Sequence, residues 1–322
     1  NNLGTNLSFR RTTLLADKFS AYLFNVLKIK KGDKVAIMLP NLLTFPISFF
    51  GSINIGATVV NVNPLFKSRE VKILLTDSNV ETIVILDKFL NELESVLGET
   101  KIKNVIVCRP FDLLNIPMNL IVRSLLFFKT KSHKINSNYI LFSDIVRSKE
   151  KNPSVSLSGN DIALLQYTGG TTGKSKAAIL THSNLVSNIE QLQLWVDNIL
   201  SEGQETIITA LPMYHIFSLT VNLLFFYKIG SKNILITNPR DLKSFVKTLS
   251  RNKFTVITAV NTLFNLLLTS TKFKNSNLQS LKFSVGGGMA VLNSTAKKWK
   301  EVTGCAITQG YGLTETSPIV TV

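Results

Sequence analysis

The sequence predicts an α/β fold built on largely parallel sheets, and three observations carry that expectation. Short strand-like runs rich in β-branched residues alternate with helix-length stretches along the 322 residues. Four loops rich in glycine, aromatic or hydroxyl side chains follow directly on such strands. Hydrophobic residues make up 45% of the chain, enough for a large core divided into one or two domains.

Residues 11–27 predict an amphipathic helix, with Leu15, Phe19, Tyr22, Leu23, Val26 and Leu27 on one face. Lys31-Gly32-Asp33 breaks it, and residues 34–39 form a strand. After Pro40 an apolar helix runs to about Ile55, and Gly56 ends it. Residues 58–62 give a second strand closed by Asn63-Pro64. Ser68, followed by Glu70 and Val71, is expected to cap a helix to about Ser78. Residues 82–86 and 104–108 are further short strands. The polar stretch 148–159, with Pro153, reads as a linker.

Beyond it, residues 184–200 predict a helix, and residues 206–211 a strand ending at Pro212-Met213-Tyr214-His215. Strands at 233–237 and 254–259 bracket a helix at 241–250. A strand at 281–285 runs into Gly286-Gly287-Gly288, and residues 290–302 are helical. A strand at 305–308 enters Gly310-Tyr311-Gly312-Leu313-Thr314-Glu315. The expected organisation is one large domain over 1–322, incomplete at both ends, with subdomains at 1–205 and 206–322.

Tyr167 to Lys176 is the stretch with the densest chemistry. It holds Gly169, Gly170 and Gly173, three threonines (Thr168, Thr171, Thr172) and two lysines (Lys174, Lys176), with no acidic residue. Glycines let backbone N–H groups approach a ligand closely, while hydroxyls and ammoniums add donors and positive charge. Such a loop suits a polyphosphate. A Walker A loop needs four residues between its first glycine and Gly-Lys-Ser/Thr, whereas three separate Gly169 from Gly173. The flanks also read strand–loop–strand. A plain hairpin turn needs only two or three special residues, far fewer than stand here.

The net charge of +16 invites a nucleic-acid partner, but the lysines are scattered and no arginine-rich arm or RNA-binding aromatic motif stands out. No nucleic-acid partner is expected; anionic ligands and an anionic membrane surface stay compatible with the charge. Two cysteines, Cys108 and Cys305, give no disulfide framework and point to a reducing compartment, hence a cytoplasmic location. There is no charged-then-apolar leader after Asn1, and the chain stops at Val322 within an apolar run, so a piece of a longer enzyme is expected. The uncharged run 206–227 contains Pro212, Tyr214, His215 and Asn222, which favours a buried strand, loop and helix over a membrane span. Residues 111–134 are broadly apolar with Lys129, Lys131 and Lys134 at the end. They read equally as a core helix beside a basic loop and as an element on the inner face of the cell membrane. His133 reads as a loop residue, and His182 as one near a helix start.

In parallel α/β sheets, ligands bind outside the carboxyl ends of the strands, so the loops at Thr168, His215, Gly286–Gly288 and Tyr311–Glu315 can meet in one crevice. Together they offer phosphate donors, an imidazole, a flat glycine surface, an aromatic ring and a carboxylate of the kind Mg²⁺ prefers. Tyr-Thr-Gly-Gly-Thr-Thr-Gly…Lys, Leu-Pro-Met-Tyr-His-Ile-Phe and Gly-Tyr-Gly-Leu-Thr-Glu, in this order, resemble the acyl-adenylate-forming superfamily. The likeness is nearest to bacterial long-chain fatty-acid–CoA ligases, which residues 237–241 and 260–265 also resemble.

The resemblance implies the large N-terminal domain of adenylate-forming enzymes, stacked αβαβα subdomains, with the C-terminal domain absent from this sequence. It also implies ATP-dependent formation of acyl-AMP and then a thioester with coenzyme A, with fatty acid, ATP, coenzyme A and Mg²⁺ as the small-molecule partners. A homodimer is admitted as well. By similarity, Thr168, Gly169, Gly170, Thr171, Thr172, Gly173, Lys174 and Lys176 hold the β- and γ-phosphates. Thr168 and Glu315 position Mg²⁺, and Thr314 meets the α-phosphate. Gly287, Gly288, Gly310 and Tyr311 line the adenine pocket. His215 lies near the carboxylate, and Phe217, Val260, Asn261 and Phe264 face the acyl chain. At about 0.8 kcal/mol per buried CH₂, a chain of about a dozen methylenes gives ~10 kcal/mol gross in such a tunnel. Two departures stand out: Ala177 where the family usually has glycine, and Ser175 in place of a frequent proline. With the family's later motifs missing too, a remnant that only binds nucleotide or lipid is the competing reading, and a ligase for another carboxylic acid is a second.

Overall fold

A computed structural model describes residues 2, 4–114, 135–168 and 175–322. Expectations for residues 115–134, including His133, and for Gly169 to Lys174 lie outside the described residues. The chain divides into two units, Asn1–Ser183 and Asn184–Val322, earlier than the division near residue 205 expected from the sequence. Helix His182–Val196 accounts for the difference, because its Ile189, Leu192 and Val196 pack into the second unit's core.

The first unit carries a seven-stranded sheet. Its strands are β1 (Lys34–Met38), β2 (Thr58–Asn61), β3 (Thr82–Leu86), β4 (Asn104–Cys108), β5 (Ile140–Leu141), β6 (Ile162–Thr168) and β7 (Lys176–Thr181). The order is β5-β4-β3-β1-β2-β6-β7, and every pair is parallel except β6 with β7. β1 to β4 are buried almost throughout, as strands covered on both faces must be. Helices Phe9–Asn25 and Thr44–Ile53 lie close enough that Ser20 Oγ donates to Gly51 O at 2.8 Å. The polar linker has no regular structure. It tracks the first helix, where Lys18 Nζ donates to Ser148 O and Asn25 Nδ2 to Lys151 O.

Ser68 corrects one expectation. Lys67, not Ser68, occupies the cap of helix Ser68–Ser78, and its N–H donates to Glu70 Oε2. The Ser68 hydroxyl and N–H instead donate to Glu92 Oε2, a partner from a later helix.

The second unit holds a five-stranded parallel sheet of β8 (Thr206–Thr209), β9 (Lys232–Leu235), β10 (Val256–Ala259), β11 (Phe283–Gly286) and β12 (Ile307–Gln309). The order β12-β11-β10-β8-β9 reverses between β8 and β10, so the loops after those two strands flank a topological switch point. The uncharged run 206–227 is indeed a strand, a loop and a helix, but the helix over Ser218–Phe225 is of the π type. Thr220 and Asn222 both point inward from it. Asn222 Nδ2 donates to Thr258 Oγ1 of β10 at 2.8 Å, and Asn233 Nδ2 of β9 donates to Asn222 O at 2.6 Å. A widened turn of this kind is often found where a chain serves a site.

The end of the chain is a separate antiparallel pair, β13 (Tyr311–Gly312) with β14 (Ile319–Thr321). Between the strands lies a 3₁₀ turn over Thr314–Thr316. No helix among the described residues is long and apolar enough to cross a membrane.

Candidate nucleotide and acyl site

The glycine-rich loop leaves on β6 and returns on β7, the strand–loop–strand arrangement its flanks predicted. Thr168 pairs with Lys176 at the mouth, and Thr168 Oγ1 donates to Lys176 O at 3.4 Å. Ser175 and Lys176 are exposed. Ala177 sits in the β7 ladder opposite Tyr167, where an alanine is accommodated as an ordinary strand residue. Tyr167 itself carries a role that sequence reasoning missed: its hydroxyl donates to Asp77 Oδ2 at 2.6 Å. Burial and then the Asp77 carboxylate push the Tyr167 pKa well up, so the phenol stays a donor at all working pH values. No local pattern could have revealed this, since the partner lies 90 positions away.

In the second unit, His215 follows β8 at a turn in which its N–H donates to Pro212 O at 3.0 Å. The ring is on the exposed side, with Nδ1 accepting from Phe217 N at 3.4 Å. Loss of hydration from the protein packed around it lowers the His215 pKa, so the imidazole is neutral at pH 7. His182, at the start of its helix as expected, is likewise lowered, first by burial and then by Lys31, against the pull of Asp161.

The Phe217 ring lies against Gly287: a Cβ there would stand 2.9 Å from ring Cε1 and 3.3 Å from Gly310 O. Any other side chain at 287 would displace the ring. Gly288 has φ +77°, and Val260 Cγ1 is 3.7 Å from where its Cβ would be. Gly310 N donates to Gly286 O at 2.8 Å. Phe217, Val260, Gly287, Gly288 and Gly310 thus come together at the carboxyl ends of β8, β10, β11 and β12, next to the switch point. Asn261 opens helix Asn261–Thr269, and its Oδ1 accepts from Leu292 N at 3.1 Å. Phe264 is fully buried and meets Trp299 edge-on at 4.7 Å, so it backs the glycine strand from the core.

Tyr311 opens the terminal hairpin, 60% exposed. Thr314 is half-buried, and Glu315 is exposed at the tip of the 3₁₀ turn. A Cβ on Gly312 would fall 1.8 Å from Pro318 O, an approach only glycine allows. Among the described residues no group of three or more His, Cys, Asp or Glu side chains can hold a metal. A single carboxylate such as Glu315 fits Mg²⁺, which takes few protein ligands and keeps water and phosphate oxygens.

A parallel sheet with a glycine-and-aromatic surface at its switch point is the place where open α/β proteins bind their ligands. Residues 2–322 match the AMP-binding enzyme family, and the chain belongs to it. It is 44% identical over 326 residues to a long-chain-fatty-acid–CoA ligase of Yersinia pestis, covering 99% of this chain and 58% of that one. Identity to the ligase of the same name from Haemophilus influenzae is 42%, again over 99% of this chain and 58% of the relative. The chain therefore spans 58% of the length of these curated relatives. Among solved structures, an anthranilate CoA ligase in complex with anthranoyl-AMP superposes with a TM-score of 0.85 at 24% identity, covering 99% of this chain and 57% of that one. A long-chain-fatty-acid–CoA ligase from Archaeoglobus fulgidus gives 0.80 at 23%, over 98% and 59%. These likenesses establish the fold, the large N-terminal domain of adenylate-forming enzymes.

Proposed function

We propose that the chain is the nucleotide- and acyl-binding part of a cytoplasmic long-chain fatty-acid–CoA ligase. The observation that carries this reading is the Phe217 ring seated on Gly287 beside Gly310, in a chain of the AMP-binding family. Such a surface suits a flat purine on its polar side and an alkyl chain beyond the ring.

A carboxylate oxygen of the fatty acid attacks the α-phosphorus of ATP, the bond to the bridging oxygen breaks, and pyrophosphate leaves. The thiol of coenzyme A, its proton lost to solvent, then attacks the acyl carbon, the bond from that carbon to the phosphate oxygen breaks, AMP departs, and a thioester forms. Lys176 and the donors from Thr168 to Lys174 neutralise the departing pyrophosphate, and Thr314 donates to the α-phosphate. Gly287, Gly288, Gly310 and Tyr311 hold the adenine, and neutral His215 holds the carboxylate in line. Phe217, Val260 and Asn261 border the acyl path, with Phe264 behind them. Glu315 and Thr168 would offer magnesium one carboxylate and one hydroxyl, and the ion would supply charge neutralisation at the phosphates. The apolar, lysine-ended stretch 111–134 is what supports attachment to the inner face of the cell membrane.

The test is pyrophosphate release by the full-length protein given palmitate, MgATP and coenzyme A. Saturable release with stoichiometric acyl-CoA is expected. No release with any carboxylate would leave the nucleotide-binding remnant instead.

A further inference from the structure

The turn bearing Thr314 and Glu315 is short and solvent-facing, yet two buried side chains from distant parts of the second unit grip the backbone just behind it. Asn188, on helix His182–Val196, meets β14 like a neighbouring strand: its Nδ2 donates to Ile319 O at 2.9 Å and its Oδ1 accepts from Ile319 N at 3.1 Å. Thr220, on the π-helix, donates from Oγ1 to Ser317 O at 3.0 Å. Asn188, Thr220 and Ser317 are at most 4% exposed. Within the turn, Leu313 N reaches both Pro318 O and Thr316 Oγ1 at 3.0 Å, so the grip on 317 and 319 is passed to 313–316. Ile319 also packs against the core that holds Ile189, Leu192 and Val196.

Neither partner is needed merely to finish a helix or a sheet. Asn188 lies in mid-helix, where asparagine is a poor helix former. Thr220 lies within the π-helix, and its hydroxyl donates to Ser317 O rather than to its own helix backbone. Buried polar groups of this kind fix one arrangement because any other leaves them unpaired.

We infer that Asn188 and Thr220 are positioning residues that hold Thr314 and Glu315 in place for the nucleotide. The inference rests on the ligase reading above. Neither side chain touches substrate; both act through the backbone of residues 317 and 319. Because Thr220 belongs to the helix that follows His215, the same hydroxyl ties the turn of the carboxylate-binding loop to the turn of the phosphate-binding one.

The variants Thr220→Val and Asn188→Ala remove the grips, and Thr220→Ser keeps the hydroxyl. Amide hydrogen exchange and steady-state kinetics are measured on the full-length protein. Exchange at Leu313, Thr316, Ser317 and Ile319 should quicken about tenfold in Thr220→Val and Asn188→Ala, with the five-stranded sheet unchanged. KM for MgATP should rise about tenfold while KM for palmitate holds, and Thr220→Ser should stay near the parent in both readouts. Quickened exchange with an unchanged KM for MgATP would reduce the pair to a structural role and overturn the inference, as would unchanged exchange. An unmodified protein that releases no pyrophosphate sinks the ligase reading itself, while the exchange data still decide whether the grip exists.

Discussion

The Tyr167 hydroxyl donates to the Asp77 carboxylate at 2.6 Å, joining the last turn of helix Ser68–Ser78 to the mouth of the glycine-rich loop. The loop's first strand is therefore fixed by a side-chain tether as well as by the β6–β7 ladder. Tyr167→Phe should cost about 1 kcal/mol of stability, read as a lower unfolding midpoint in urea, and should raise KM for ATP several-fold. An unchanged KM with the stability loss present would mean that the tether serves folding alone.

Gly312 has no room for a methyl group, given the 1.8 Å that would separate its Cβ from Pro318 O. Gly312→Ala must open the β13–β14 pair, at about 1–3 kcal/mol. Calorimetry should record the loss, and nucleotide affinity measured by titration should fall with it.

Asp112 supplies a pH signature for the first unit. Burial lifts its pKa to about 6, against the Arg109 N–H at 2.8 Å and the Arg109 charge, with Asp87 and Asp144 adding to the lift. A raised carboxylate binds more protons folded than unfolded between pH 3.8 and about 6, so this group's contribution to stability falls as pH rises through that window. Asp112→Asn should therefore stabilise the protein at pH 7.5, by about 1–3 kcal/mol, and should make little difference near pH 4. Melting temperatures of the two proteins at both pH values check the sign.

His215 behaves oppositely. Its depressed pKa means that the folded protein binds fewer protons than the unfolded chain, so its contribution is fully present above pH 6.5 and is lost as pH falls. His215→Ala should remove that dependence from the stability profile. It should also raise KM for the fatty acid about tenfold with KM for ATP near the parent value, measured by initial rates.

Much of this architecture was legible because local rules and tertiary packing agree. The strands at Thr82–Leu86 and Asn104–Cys108 stand at the expected residues, since a β-branched run buried on both faces has no competing conformation. The loops at His215, Gly286–Gly288 and Gly310 do follow strand ends. Ser68 was misassigned because its hydroxyl prefers Glu92, and sequence alone cannot weigh a carboxylate 24 positions away. Residues 318–322 read only as an apolar run, whereas β14 pairs with β13 and its Ile319 is bonded by Asn188. Phe264 is expected by resemblance to face the acyl chain; it is fully buried edge-on against Trp299, and nothing local in the sequence separates a tunnel wall from plain core. The Tyr167–Asp77, Asn188–Ile319 and Thr220–Ser317 contacts share one property: each joins segments that no periodicity connects.

The π-helix over Ser218–Phe225 sets a constraint on length rather than on composition. An α-helix advances about 100° per residue, and the i→i+5 winding of a π-helix advances less, so deleting one residue here to restore ordinary winding would change which residues within the segment face inward. Asn222, in the middle of it, would then leave Thr258. Insertions and deletions that a surface loop absorbs are thus barred from this segment, and its eight residues should keep their number even where their identities drift.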